Sequence, residues 1–273
     1  MSGFSAAWLR LREPYDVRSR SDELVRRLRS QLLAHPLKAM DLGTGTAANV
    51  RYLAPRLGGE QLWQTVDNDV ALIAEQPAEL RGPDFSCALT PMQIDLATQL
   101  HRLPFAGCHL VTASALLDLA SASWLDELAR HCAGAGACVL FALSYDGRME
   151  CSPCDPDDAW LNTVIDRHQQ GDKGFGPALG PNATSHACKA FAAFDYSVHT
   201  VASDWVIEPE GRELQSELLD GWIAAACEIA AEDKFRIMEW GKRRKAHLFA
   251  GRSRLRVGHQ DCIAWPRRAG GSR

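Results

Sequence analysis

The chain reads as an α/β protein built on a doubly wound, mostly parallel sheet, and three observations point there. Apolar runs of strand length alternate with helix-like segments between residues 37 and 144, a pattern that lays successive strands side by side with helices on both faces. The first run ends in "DLGTGTAA", a carboxylate and two glycines at a strand-to-helix turn. The length of 273 residues suffices to bury one large core, so 1–273 is expected to form a single domain.

The elements follow in order. In "SDELVRRLRSQLL" (21–33) the residues Leu24, Val25, Leu28 and Leu32 fall at helical spacing behind a Ser/Asp start, which predicts a helix ahead of the sheet. Then come strand 37–43, helix 47–57, strand 62–67, helix 68–80, strand 90–95, helix "LATQLHRL", strand 108–114, helix 122–132 and strand 136–144. Residues 145–185 are rich in Gly, Pro and Asp around one helical piece, "DDAWLNTVIDRHQ"; composition of this kind after a fifth strand reads as an insertion that caps something. Strand-like runs at 196–207 and 245–251 flank the helix "RELQSELLDGWIAAACEIAAE". The basic run "GKRRK" (241–245) reads as a solvated turn before the last strand, with phosphate contact as the lesser reading. The tail 267–273 is expected to be disordered.

Composition narrows the function. With 34 acidic and 30 basic residues the net charge is −4, which argues against a surface dedicated to nucleic acid or to anionic membrane. The most apolar stretch, "GWIAAACEIAA", is interrupted by Glu228 and is shorter than a bilayer span, and the N-terminus lacks the apolar core of a secretion signal. A cytoplasmic protein is the expectation. The nine cysteines are odd in number and several sit in apolar runs, as reduced core residues do.

Two cofactors compete for the glycine turn. Gly43-x-Gly45-x-x-Ala48 with Asp67 downstream fits a dinucleotide fingerprint and hence an NAD-dependent oxidoreductase. Asp41, two residues before the first glycine, would repel a pyrophosphate and suits a ligand that carries an ammonium group. That favours S-adenosylmethionine. The motifs "MDLGTGTAANVRYLA", "QTVDND", "MQIDL" and "HLVTASALLDL", in this order at successive strand ends, resemble those of class I S-adenosylmethionine-dependent methyltransferases over about residues 20–145. Ala47 departs from the family, which usually has a third glycine there.

The resemblance implies a seven-stranded sheet whose last strand, within "KAHLFAGRSRLRVGHQDCIAW", is antiparallel. It also implies a cofactor site of Asp41, Gly43, Gly45, Asp67, Asn68, Asp95, Leu96 and Ser114. Gly43 and Gly45 would run along the methionine part, Asp67 would take the ribose hydroxyls beside Asn68, Asp95 and Leu96 would hold the adenine, and Ser114 would face the methyl. Asp67 and Asp95 have an alternative reading as helix caps.

No Asn/Asp-Pro-Pro-Tyr signature follows the fourth strand, where "SALLDLA" stands, so a small-molecule acceptor with O or N as nucleophile is expected rather than a DNA base or protein glutamine. The N-terminal segment 1–20 and the insertion would form the lid, with Trp8, Arg12, Tyr15 and Arg148 as candidate acceptor contacts and Tyr15, Tyr145, His168 and His186 as candidate catalytic groups. Trp8 and Tyr15 could equally pack on the sheet. Cys151, Cys154, His186 and Cys188 contain one pair at zinc spacing, but free thiols are the better reading and no resident metal is expected. A catalytically inactive protein of the same fold stays open beside the enzyme readings, and the sequence leaves the oligomeric state open.

Overall fold

The computed structural model describes residues 5–267. Before the sheet come two helices, α1 (Ala6–Ser19) and α2 (Asp22–Arg29), each started by a serine whose side chain accepts a backbone N–H: Ser5 from Trp8 and Ser21 from Leu24. The lid segment expected ahead of the first helix is itself a helix, α1. It is helical despite Pro14 and despite lacking a single apolar stripe, because its burial comes from contacts on several sides.

The central strands are β1 (Leu37–Leu42), β2 (Gly59–Asp67), β4 (Phe85–Gln93), β5 (Leu110–Ser114) and β6 (Cys138–Ser152), with β3 (Glu79–Gly82) paired to β4. The C-terminal strands are β7 (Tyr196–Ala202), β8 (Trp205–Ile207) and β9 (Arg254–Pro266). The sheet runs β3-β4-β2-β1-β5-β6-β9-β7, with β8 also on β9. Pairings from β4 through β6 are parallel, and β3 and β9 join antiparallel. The doubly wound class with an antiparallel last strand is therefore present, in a sheet of nine strands rather than seven.

Helix α3 (Ala48–Leu57) lies with α2 over one face, while α6 (Ala122–Ala135) and α8 (Ala183–Ala192) cover the other. Short helices α4 (Val70–Ala74) and α5 (Leu96–Gln99) follow β2 and β4. A third apolar cluster joins α7 (Asp158–Gln169), α9 (Arg212–Ile229) and α10 (Lys234–Phe249).

Several expectations are corrected here. The helix expected at 68–80 stops at Ala74, and Glu79–Gly82 turns back as a strand against β4. The insertion begins as a continuation of β6 to Ser152, held by β9, before α7. The run 245–251 is the end of α10 rather than a strand, and the last strand starts at Arg254. "GKRRK" is accordingly helical. Its Arg244 is fully buried, donating to the Pro153 carbonyl at 2.6 Å and to Asp158 at 3.1 Å, because a helix turns every fourth residue inward whatever its charge. The expected tail falls outside the described residues except for Arg267.

Candidate functional site

The site grows from the turn that joins β1 to α3. Gly43 and Gly45 adopt left-handed backbone, with φ of +61° and +54°, a conformation glycine enters without steric cost. Ala47 does the same at φ +64°, where an L-residue pays roughly 1–2 kcal/mol; its methyl is fully buried in the core. The missing third glycine is thus a strained alanine that keeps the glycine-type path.

Asp41 ends β1 with no exposure. The Thr44 hydroxyl donates to its Oδ2, and Asn49 Nδ2 donates to its Oδ1 at 2.5 Å while also approaching Thr112 Oγ1 at 3.1 Å. Burial pushes the carboxyl up to about 6, against the pull of those two hydrogen bonds. The partner that Asp41 needs, which the sequence reading sought in a ligand ammonium, is supplied from within the chain. The carboxylate shapes the turn from beneath.

Asp67 ends β2 and takes hold of the turn from the side. Its Oδ2 accepts the Gly45 N–H at 2.7 Å and its Oδ1 accepts the Asp69 N–H at 3.0 Å. Asp69, not Asp67, caps α4, so the capping alternative for Asp67 does not hold. For Asp95 it does: this exposed side chain accepts from Ala97 N at 3.0 Å and from Thr98 Oγ1 at 2.9 Å at the start of α5. Asn68 is exposed beside Asp67, and the Leu96 side chain is packed in the core. Ser114 is half-buried and lines a cavity together with Gly43, Thr44 and Asn49. At the next position Ala115 is left-handed at φ +52°, and Leu143 on the neighbouring strand at φ +55°. Backbone strain of this kind concentrates at functional sites, and here it gathers just past the carboxyl end of β5, where open α/β sheets bind ligands, and at the neighbouring register shift within β6.

Helix α1 roofs the turn. Leu9 Cδ1 lies 2.9 Å from where a Cβ on Gly45 would stand. Arg10 pairs with Glu75 at 2.7 Å, and Arg51, which follows the turn, grips Glu13 at 2.7 and 2.9 Å. The cavity holds about 60 Å³ and is bounded by Arg12, Asp16 and Arg20 on the α1 side. Arg12 is buried against Asp16 at 3.0 Å and lies 4.9 Å over the Trp205 ring, whose Nε1 also donates to Asp16. Trp8 and Tyr15 pack against the main core cluster.

The other sequence candidates are spread over the molecule. The Tyr145 hydroxyl donates to Asp166 at 2.9 Å, and burial raises its pKa. Arg148 is committed to Asp146 and Asp204. His168 sits on α7 between Lys173 and Glu228, and His186 on α8 pairs with Asp126 at 2.8 Å. None of these four lines the cavity described above. Among the described residues no group of three or more His, Cys, Asp or Glu could hold a metal; Cys188 lies against Cys262 instead of joining Cys151 and Cys154.

Sequence reasoning missed four residues that the fold brings close. Asn49 and Thr112 buttress Asp41, and Arg20 reaches Asn49 Oδ1 at 2.5 Å. Asp118, four residues beyond Ser114, is buried with its carboxyl pushed up to about 6 and its Oδ1 without a hydrogen-bond partner. The one available signal was "SALLDLA", a carboxylate in an apolar run just past a strand end.

No family model matches the chain, and no curated protein matches it. Solved structures do. A protein described as a type II methyltransferase from Anaeromyxobacter dehalogenans aligns with 90% of this chain and 97% of its own at 17% identity and a TM-score of 0.51. An S-adenosylmethionine-dependent methyltransferase from Geobacter sulfurreducens, solved with S-adenosyl-L-homocysteine, aligns over 98% of this chain and 100% of its own at 12% identity and TM-score 0.45. The cyclopropane synthase MmaA2 of Mycobacterium tuberculosis covers 89% of this chain and 83% of its own at 10% identity and TM-score 0.45. The first of these, at 17% identity and a TM-score of 0.51, shows the fold alone.

Proposed function

We propose that the chain is an S-adenosylmethionine-dependent methyltransferase that acts on the oxygen or nitrogen of a small metabolite. The observation that carries the choice of cofactor is how the donors of the glycine turn are used. A pyrophosphate binds such a turn through its free N–H groups, yet Gly45 N–H is given to Asp67 and Thr44 N–H to the Val66 carbonyl at 3.0 Å. Asp41 places a buried carboxylate beneath the same turn, which disfavours a pyrophosphate and so NAD. Each Asp67 oxygen keeps a lone pair for a ribose hydroxyl, and the left-handed glycines let a ligand approach the backbone closely. These features fit an uncharged ribose followed by an amino acid.

S-adenosylmethionine, when bound, supplies an electrophilic methyl on its sulfonium. The chain's part is to orient and to exclude water. Asp67, with Asn68 beside it, would hold the ribose, Gly43 and Gly45 the amino acid end, and Ser114 the region of the methyl, with Asp95 and Leu96 at the adenine end. Helix α1 bounds the cavity over the glycine turn, so an outward movement of the helix would widen the entry and its return would cover the ligand. A roof of this kind suits a compact acceptor, which Trp8, Arg12 and Tyr15 would then face. No helix is long and apolar enough to cross a membrane among the described residues.

Turnover tests the reading. Incubation with methyl-labelled S-adenosylmethionine and pooled small metabolites should produce S-adenosylhomocysteine and a labelled small product. Cofactor binding without any product across such pools would favour an inactive protein of the same fold.

A further inference from the structure

Arg20, the residue between α1 and α2, has 8% of its surface exposed, and its Nε and Nη2 have no hydrogen-bond partner. Its third nitrogen, Nη1, donates to Asn49 Oδ1 at 2.5 Å, and its guanidinium carbon lies 4.1 Å over the Tyr52 ring. The plane and the position of the group are therefore set. Nε and Nη2 form one edge of the guanidinium, the edge whose two parallel N–H bonds match a carboxylate.

Two neighbours show what that edge does when it is occupied. Arg12 gives Nε and Nη2 to the two oxygens of Asp16 at 3.0 and 3.2 Å, and Arg51 gives the same pair to Glu13 at 2.9 and 2.7 Å. Arg20 faces three carboxyl groups without engaging them through this edge. Asp41 is held by Thr44 and Asn49, Asp261 accepts the Leu143 and Ser21 N–H groups at 2.8 and 3.3 Å, and Asp16 belongs to Arg12 and Trp205. Burial lowers the pKa of Arg20 while Asp261, Tyr52 and Asp41 raise it, and a guanidinium stays charged throughout. A buried cation with two idle donors carries a large desolvation cost unless an anion joins it.

Arg20 lines the same cavity as Gly43, Thr44, Asn49, Tyr52 and Ser114. We infer that this edge of Arg20 is the seat of a carboxylate, the one at the amino acid end of the cofactor, held side-on by Nε and Nη2 at the foot of the α1 lid. The inference rests on the cofactor reading above. It adds a chain-specific consequence: α1 and the carboxylate anchor are adjacent in sequence, so closure of the helix and capture of the carboxylate are coupled.

The test compares two ligands by calorimetry: S-adenosylhomocysteine, and S-adenosyl-3-thiopropylamine, which keeps the ammonium and lacks only the carboxylate. The wild-type chain should prefer the first by about tenfold or more, the worth of a charge-assisted pair. Arg20→Gln should erase that preference by weakening the first ligand, leaving the second within about twofold. Arg20→Lys, which keeps the charge but not the paired edge, should recover only part of it. Equal weakening of both ligands in Arg20→Gln would mean a structural role and overturn the assignment. Should Arg20→Gln fail to fold, judged by thermal melting, the wild-type preference and Arg20→Lys decide the matter, and no preference in wild type overturns the assignment. Binding of neither ligand to wild type would instead bring down the cofactor reading itself.

Discussion

Asp41 and Asp118 are the two buried carboxyls whose pKa burial pushes up to about 6. Each is easier to protonate folded than unfolded, so the folded state binds more protons between about pH 4 and 6, and the stability from each group is lost as pH rises through that window. From 3.8 to about 6 the change corresponds to ~3 kcal/mol at most for each group. Asp41→Asn and Asp118→Asn should therefore flatten the stability curve between pH 4 and 6 relative to wild type, measured by denaturant unfolding at each pH. A variant curve parallel to wild type would place the titrating groups elsewhere. Asp67→Ala removes the acceptor of the Gly45 N–H together with the proposed ribose contact, and S-adenosylhomocysteine affinity should fall at least about tenfold by calorimetry; unchanged affinity would refute the ribose assignment. At this scale the sequence showed Asp41, Gly43, Gly45, Asp67 and Ser114, because strand ends and glycines announce themselves. Arg20, Asn49 and Asp118 escaped, since nothing in their spacing reveals that a polar side chain is buried, and Arg20 stands among surface arginines in "RSRSD".

Among the elements, α1 and α10 were read least well. Helix α1 lacks a stripe of apolar residues because it touches β8, α9 and the glycine turn from different sides. The alternating pattern in "KAHLFAG" imitates a strand, while the packing of α10 on α9 makes it a helix. The ion pairs Arg10–Glu75 and Arg51–Glu13 clasp α1 at the surface, where such pairs contribute up to about 1 kcal/mol each. The double variant Glu13→Ala/Glu75→Ala should speed amide hydrogen exchange across 6–19 and raise the association rate of S-adenosylhomocysteine. Unaltered exchange would show that the clasp does not restrain the lid. In α10, Arg244 is fully buried between the Pro153 carbonyl and Asp158, and Arg244→Ala removes the cation from Asp158, leaving that acid only the Trp240 Nε1 and Asp155 N–H donors. A loss of about 3–5 kcal/mol in unfolding free energy is expected; a loss under ~1 kcal/mol would mean that water replaces the guanidinium without penalty.

For the molecule as a whole, the alternation that predicts parallel pairing from β4 to β6 is realised, since each buried strand had to be covered on both faces. The strands at the margins, β3 and β8, are short, and β3 is largely polar, so periodicity could not separate them from turns. The topology brings the carboxyl ends of β1, β2 and β5 to one side beside the register shift of β6, and α1 covers that side over the glycine turn. On the function proposed above, this side takes S-adenosylmethionine and not a dinucleotide. Calorimetric titration with S-adenosylhomocysteine and, separately, with NAD(H) addresses it directly. Saturable binding of the first and no heat of binding with the second are expected; binding of NAD(H) without response to S-adenosylhomocysteine would overturn the cofactor assignment.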